Sequence, residues 1–166
     1  MTEQELVTAI CDRAAAAGTR TDHANIRRRE IAPPATLEQI RDAEQQLGFS
    51  LFPLHRHLLQ RVGNGGFGPG DGLIGTAGGS LDVEGRSLIE LGRTLFPNRH
   101  LPVVALCDWG DGIWACMDAA TGAILTISEF GLMDTGQHLH GWLEQWAAGV
   151  NLWRQTVVLG ETSVRD

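Results

Sequence analysis

The sequence predicts an α+β fold: N-terminal helices and a C-terminal helix packed on a small twisted antiparallel or mixed sheet. Three observations carry this reading. Apolar residues recur at helical spacing in the first 62 positions and again near the C-terminus. Three short apolar runs between residues 103 and 127 are joined by Gly/Asp-rich connectors. A glycine-rich stretch separates the two regimes. With 166 residues, no internal repeat and no long linker, the chain reads as a single domain over 1–166. A chain of this size buries roughly 70% of its unfolded surface, enough for a core without disulfide or metal staples.

Residues 3–17 place Leu6, Val7, Ile10, Cys11, Ala14 and Ala17 on one helical face, with Gly18 as the stop. Residues 19–35 are polar and end in Pro33-Pro34; the triplet Arg27-Arg28-Arg29 beside Asp22 and Glu30 reads as a solvated face. A second helix begins at Thr36. Thr36 and Gln39 have capping-box spacing, in which hydroxyl and amide satisfy opposed orphan N–H groups. Leu37, Ile40, Ala43 and Leu47 form its stripe, and Gly48 ends it. Pro53 suits the first turn of a third helix, whose inner face should hold His55, Leu58, Leu59 and Val62. Residues 63–79 contain nine glycines and must be largely loop, with Leu73-Ile74 as a short strand. Leu81–Leu95 returns to helical spacing before Pro97. The runs Val103–Cys107, Ile113–Met117 and Ala123–Ile127 read as an antiparallel meander. Residues 131–137 read as loop, and a last helix spans roughly Gln137–Ala148, with Leu139, Trp142, Leu143 and Trp146 on one face.

The formal net charge is −7, and all 13 basic residues are arginine; lysine and tyrosine are absent. A P-loop lysine, a Schiff-base lysine and a tyrosine acid or nucleophile are thereby excluded. The negative charge argues against nucleic acid or an acidic membrane as partner, since both need a basic footprint. No run approaches 18 apolar residues, and the N-terminus lacks a signal-peptide pattern. With three widely spaced cysteines and no CxxC, the expectation is a cytoplasmic protein with reduced thiols. The charge is uneven. Residues 1–62 are neutral, whereas Arg99 to Arg154 encloses no basic residue but histidine and six acids: Asp108, Asp111, Asp118, Glu129, Asp134 and Glu144. All five tryptophans lie at or after position 109.

Four constellations bear on chemistry. Gly63, Gly65 and Gly68 satisfy GxGxxG, but a dinucleotide site needs a strand before the glycines and a helix directly after. Here a helix precedes and Pro69-Gly70-Asp71 follows, so the glycines read as supplying positive φ and close backbone approach. The pairs His55/His57 and His138/His140 are two apart, about 200° around a helix, and do not share a metal there. Cys107 or Cys116 could form a nucleophile with His100 and Asp108, but both sit in apolar runs that lack the cations needed to lower a thiol pKa. Asp108, Asp111 and Asp118 read as turn-shaping residues and lack calcium-loop spacing. The expectation is no cofactor, no metal and no enzyme.

Two blocks resemble the SUKH superfamily, the bacterial immunity proteins and fungal cell-wall-synthesis regulators of the Smi–Knr type. The first runs from Pro34 to Gly75: a capped helix, Leu47-Gly48-Phe49, Leu51 with Pro53, then Val62-Gly63-Asn64-Gly65-Gly66-Phe67-Gly68-Pro69 and Gly72-Leu73. The second runs from Pro102 to Gly122, with Cys107-Asp108-Trp109-Gly110 followed by Trp114, Cys116 and Asp118. Trp142-Leu143-Glu144-Gln145-Trp146 with Leu152-Trp153 is similar to that family's closing helix and tail. The likeness covers roughly residues 34–153; His55 and His57 depart from the Tyr or Arg common in relatives. The resemblance implies a protein-binding module, either an immunity protein that neutralises a toxin or a regulator without one. The partner expected on charge is a basic, nuclease-type toxin domain, met by Asp71, Asp108, Trp109, Asp111, Asp118, Glu129 and Asp134. Acids would steer encounter and an exposed tryptophan would anchor the centre. Trp109, in a Gly/Asp turn, is either that anchor or is packed under the glycine-rich loop.

Overall fold

The structure, a computed structural model, describes residues 1–16, 30–97 and 101–153. Five helices, α1 (Glu3–Ala16), α2 (Leu37–Leu47), α3 (Pro53–Arg61), α4 (Leu88–Leu95) and α5 (Leu139–Ala147), flank one four-stranded sheet. Its strands are β1 (Val103–Gly110), β2 (Ile113–Asp118), β3 (Ala123–Ser128) and β4 (Gly131–His138). They lie in sequence order and every pairing is antiparallel. The α+β class is therefore as expected, and the sheet is antiparallel rather than mixed. The triplet Arg27-Arg28-Arg29, the stop at Gly18, and His100 lie outside the described residues.

The helices form where local chemistry and burial agree. Thr36 accepts the Gln39 backbone N–H, and the Gln39 side chain accepts the Thr36 N–H, completing the expected capping box; Gly48 closes α2 at φ 84°. Pro53 occupies the first turn of α3, where its missing N–H costs nothing. The inner stripes of α1 (Leu6, Val7, Ile10), α3 (Leu54, Leu58, Leu59) and α5 (Leu139, Trp142, Leu143, Trp146) all enter the core. Each such leucine contributes about 2 kcal/mol by leaving water. α5 packs on the sheet face that carries Trp109, and α1 packs on α5, with the Arg13 guanidinium 4.4 Å from the Trp146 ring centroid. Residues Val103–Cys107 are buried without alternation, because β1 is covered on both faces; this is why they read as a continuous apolar run.

Three expectations change. The helix expected over Leu81–Leu95 begins only at Leu88. Ser87 and Glu90 form a second capping box, and residues 82–86 instead wrap the buried Asp82 carboxylate. That carboxylate accepts from the Glu84 and Arg86 backbone N–H groups and from the Arg86 guanidinium. Leu73-Ile74 makes only one bond to the sheet, Ile74 N–H to Leu106 O at 2.8 Å, and is no strand. Residues 131–137, expected as loop, form most of β4, and α5 starts at Leu139. The β3–β4 turn is just Glu129-Phe130, so Ser128 lies opposite Gly131 and the hairpin carries the polar segment along β3.

Candidate functional site

The meander sorts the acidic residues by end. Successive antiparallel strands put the β1–β2 turn and the β3–β4 turn at one end of the sheet, about 10 Å apart across two strand spacings. The β2–β3 turn lies at the other. Asp111-Gly112 forms the first turn with both φ angles positive (53° and 75°), the primed geometry that matches strand twist. Asp111, Glu129 and Asp134 are exposed, the last on the outer strand β4. Asp108 is half-buried and its Oδ1 accepts the Gly110 N–H at 2.7 Å. Asp118 sits at the far end and caps its own turn, its Oδ1 accepting from Ala120 (2.8 Å) and Thr121 (3.2 Å). Of the seven residues expected to meet a partner, the structure thus brings Asp111, Glu129 and Asp134 to one end and flank, and sets Asp118 apart.

Two of the seven are corrected outright. Asp71 is only 7% exposed, within the glycine-rich loop, near enough to Cys107 for its charge to help raise that thiol's pKa. Trp109, considered as the exposed anchor, is 1% exposed. It packs edge-on against Trp142 (centroids 6.4 Å, 88°) and tilted against Trp153 (5.6 Å). The glycine-rich loop closes over it. A Cβ at Gly70, where φ is 61°, would lie 2.8 Å from Asp108 O and 3.4 Å from the Trp109 ring. Of the two readings of Trp109, packing under the loop is the one observed. Trp114, Trp142 and Trp146 are core residues, as expected.

The exposed apolar anchors are residues that sequence reasoning missed. Phe130, at the tip of the β3–β4 turn, is 73% exposed, and Leu132, two residues on, is 37% exposed. The registers align Asp108, Trp114, Ile127 and Leu132 as one row across the sheet, so Leu132 ends an apolar line that begins at the buried Trp114. The Arg86 guanidinium stands 5.9 Å from the Trp114 ring centroid and is engaged by Asp82 (2.7 Å) and Glu84 (3.2 Å). The Asp82 hydrogen bond, with Glu84 and Asp108 adding, holds it more firmly protonated than a free arginine. An aromatic residue set between Glu129 and Gly131, in a polar stretch with no apolar stripe, was the available sequence signal.

The remaining constellations resolve as structure. The glycine-rich loop is filled by its own backbone: a Cβ at Gly75 would lie 2.1 Å from Asn64 O, and Asn64 and Thr76 pair beneath it (Nδ2 to Oγ1 2.9 Å; Thr76 N–H to Oδ1 2.9 Å). Burial raises the Cys107 thiol well above its usual value, with Cys116 and the nearby carboxylates adding, and burial alone raises Cys116; neither is a thiolate at neutral pH. His57 pairs with Glu3, while His55 points into the core with neither ring nitrogen hydrogen-bonded among the described residues. His140 Nδ1 lies 3.6 Å from Glu144. No group of three or more His, Cys, Asp or Glu side chains converges as a metal site among the described residues, and no helix there is long and apolar enough to cross a membrane. A shallow depression near Asp118, lined by Phe49, Leu51, Pro53, Arg56, Pro102 and Ala120, has its arginine held by Glu44 at 2.5 Å. No family model matches the sequence, and no curated protein matches it.

Proposed function

We propose that this protein is a non-enzymatic binding module that captures a basic protein, acting as SUKH-type immunity proteins act on the toxin domains they neutralise. The observation that carries the reading is the β3–β4 end of the sheet. Exposed Phe130 and Leu132 lie among the exposed carboxylates of Asp111, Glu129 and Asp134, on a region of sequence without lysine or arginine between Arg99 and Arg154. Apolar side chains exposed together and rimmed by charge are characteristic of protein interaction sites. An aromatic residue that is desolvated on contact supplies most of the affinity, and the surrounding acids speed encounter and select against acidic partners. A nuclease-type domain, basic because it must bind phosphate, is the complementary surface. The buried, protonated thiols favour binding over cysteine chemistry.

The test is affinity capture from the native lysate with the wild-type protein and with the triple variant Asp111→Asn, Glu129→Gln, Asp134→Asn. Asparagine at position 134 keeps the acceptor for the Gly136 N–H, and asparagine at position 111 tolerates the positive φ of that turn, so the replacements remove chiefly charge. Retention of one basic protein by the wild type and its loss from the variant is the expected result. Equal capture by both, or capture of an acidic protein, would contradict the proposal.

A further inference from the structure

The geometry points to β4 as the docking edge: the partner adds an extended, basic segment to the free side of this strand. This rests on the binding reading above and specifies its mode. The two edges of the sheet are unlike. β1 is covered by α4, and Ile74 N–H takes the Leu106 carbonyl beside it. β4 is paired with β3 alone among the described residues.

Which backbone groups of β4 are free follows from one hydrogen bond. Thr135 Oγ1 donates to the Ile124 carbonyl at 2.7 Å, so Ile124 aims its polar groups at β4. Strand residues alternate, so Thr126 and Ser128 also aim at β4, opposite Met133 and Gly131. Leu132 and Asp134 therefore turn their N–H and C=O groups outward. The pairing then breaks. Leu125 lies opposite Asp134 but Ile124 opposite Gln137, so Thr135-Gly136 bulges out, with Gly136 at φ 71° and its N–H given to Asp134 Oδ1 at 2.8 Å. Natural edges are commonly blunted by such bulges and by charge. Here the bulge comes only after Asp134. It leaves Leu132–Asp134 in regular register with β3, bearing an exposed leucine and preceded, across Gly131, by an exposed phenylalanine.

A strand laid along this edge pairs with Leu132 and Asp134, whose side chains share one face. The complementary segment carries an apolar residue beside Leu132 and, two residues away, a basic one beside Asp134. Main-chain pairing gives affinity and these two neighbours give selectivity. A second copy of this chain fits less well, because edge-to-edge pairing brings Glu129 and Asp134 of both copies onto one seam.

The probe is an acetylated, amidated eight-residue peptide, Thr-Val-Thr-Arg-Thr-Val-Thr-Arg, titrated into 15N-labelled protein. Its control carries N-methyl groups on alternate backbone nitrogens along one edge, which remove the donors and leave charge intact. The expected result is shift changes centred on the Leu132 and Asp134 amides, and binding at least about tenfold weaker for the methylated peptide, the loss of one to two hydrogen bonds. Equal affinity for both peptides, shifts centred elsewhere, or no binding at millimolar peptide would overturn edge pairing. A second arm repeats the lysate capture with Leu132→Pro, which deletes one outward donor at a position where β3 needs none. Loss of the captured protein supports edge pairing. If capture survives Leu132→Pro yet fails with the triple variant that lacks three carboxylates, the edge is wrong and the basic partner stands; if the triple variant captures equally, the binding reading itself falls. Light scattering of the protein alone covers the second copy: a concentration-dependent dimer abolished by Leu132→Pro would also refute the proposal.

Discussion

His55 makes the protein's stability depend on pH in a way that one substitution isolates. Its ring is 0% exposed on the inner face of α3, and neither nitrogen is hydrogen-bonded among the described residues. Burial alone lowers its pKa from 6.5 to about 4. A histidine depressed in the folded state binds its proton more readily when unfolded, so stability is fully present above pH 6.5. It is lost as pH falls from 6.5 towards 4, and the loss saturates below that. The total is about 3 kcal/mol at 1.36 kcal/mol per pKa unit, of which about 2 kcal/mol has gone by pH 5. The perturbation is His55→Leu, which is close in volume and has nothing to protonate. Urea unfolding followed by tryptophan fluorescence at pH 8, 6.5 and 5 gives the difference between variant and wild type, cancelling the carboxylates that titrate in both. At pH 8 the variant should be equal to wild type or more stable by about 1 kcal/mol, since it relieves a buried polar ring. By pH 5 that advantage should grow by about 2 kcal/mol. Parallel curves for the two proteins from pH 8 to 5 would show that His55 is not held neutral in the core, and the packing of α3 described above would be wrong.

Three further outcomes follow from packing. Gly75→Ala places a Cβ 2.1 Å from the Asn64 backbone oxygen and should cost more than about 2 kcal/mol in urea unfolding. Gly141→Ala, in the first turn of α5 with open space around it, should stabilise by about 0.5 kcal/mol, chiefly by restricting the unfolded chain. Native protein treated with a colorimetric thiol reagent should leave Cys107 and Cys116 unmodified, reacting only at the half-buried Cys11, while urea should expose all three. Fast labelling of Cys107 in the native state would mean that β1 is not covered as described.

What the sequence disclosed and withheld follows the range of the interactions. The α2 cap, the Pro53 start, the α5 stripe and the three meander strands are local patterns, read within a few residues. The start of α4 was legible in the same terms, in Ser87 and Glu90, but the leucine at position 81 extended the helical period past it; that leucine sits in the turn around Asp82. β4 was hidden because two glycines and Asp134, Thr135 and Gln137 lack an alternating apolar face; β3 pairing makes it a strand. Trp109 was undecidable locally, since its burial depends on Gly70, 39 positions earlier, and on Trp142. The candidate surface lay between these cases. The grouping of Asp111 with Glu129, and the separation of Asp118, follow from the parity of a meander once the fourth strand is known, and Phe130 emerges as an anchor only when the turn shrinks to two residues.

The claim that a basic protein docks at the β3–β4 end is tested most directly by association kinetics with the captured protein. The rate constant is measured at 50 and 300 mM salt for the wild type, for the triple variant Asp111→Asn, Glu129→Gln, Asp134→Asn, and for Asp118→Asn at the opposite end of the sheet. The triple variant should associate on the order of tenfold more slowly at low salt and lose most of the salt dependence, because exposed charges are screened over about 10 Å at 0.1 M. Asp118→Asn should match the wild type. An unchanged rate and salt dependence in the triple variant, or a larger effect from Asp118→Asn, would place the interface elsewhere and contradict the account.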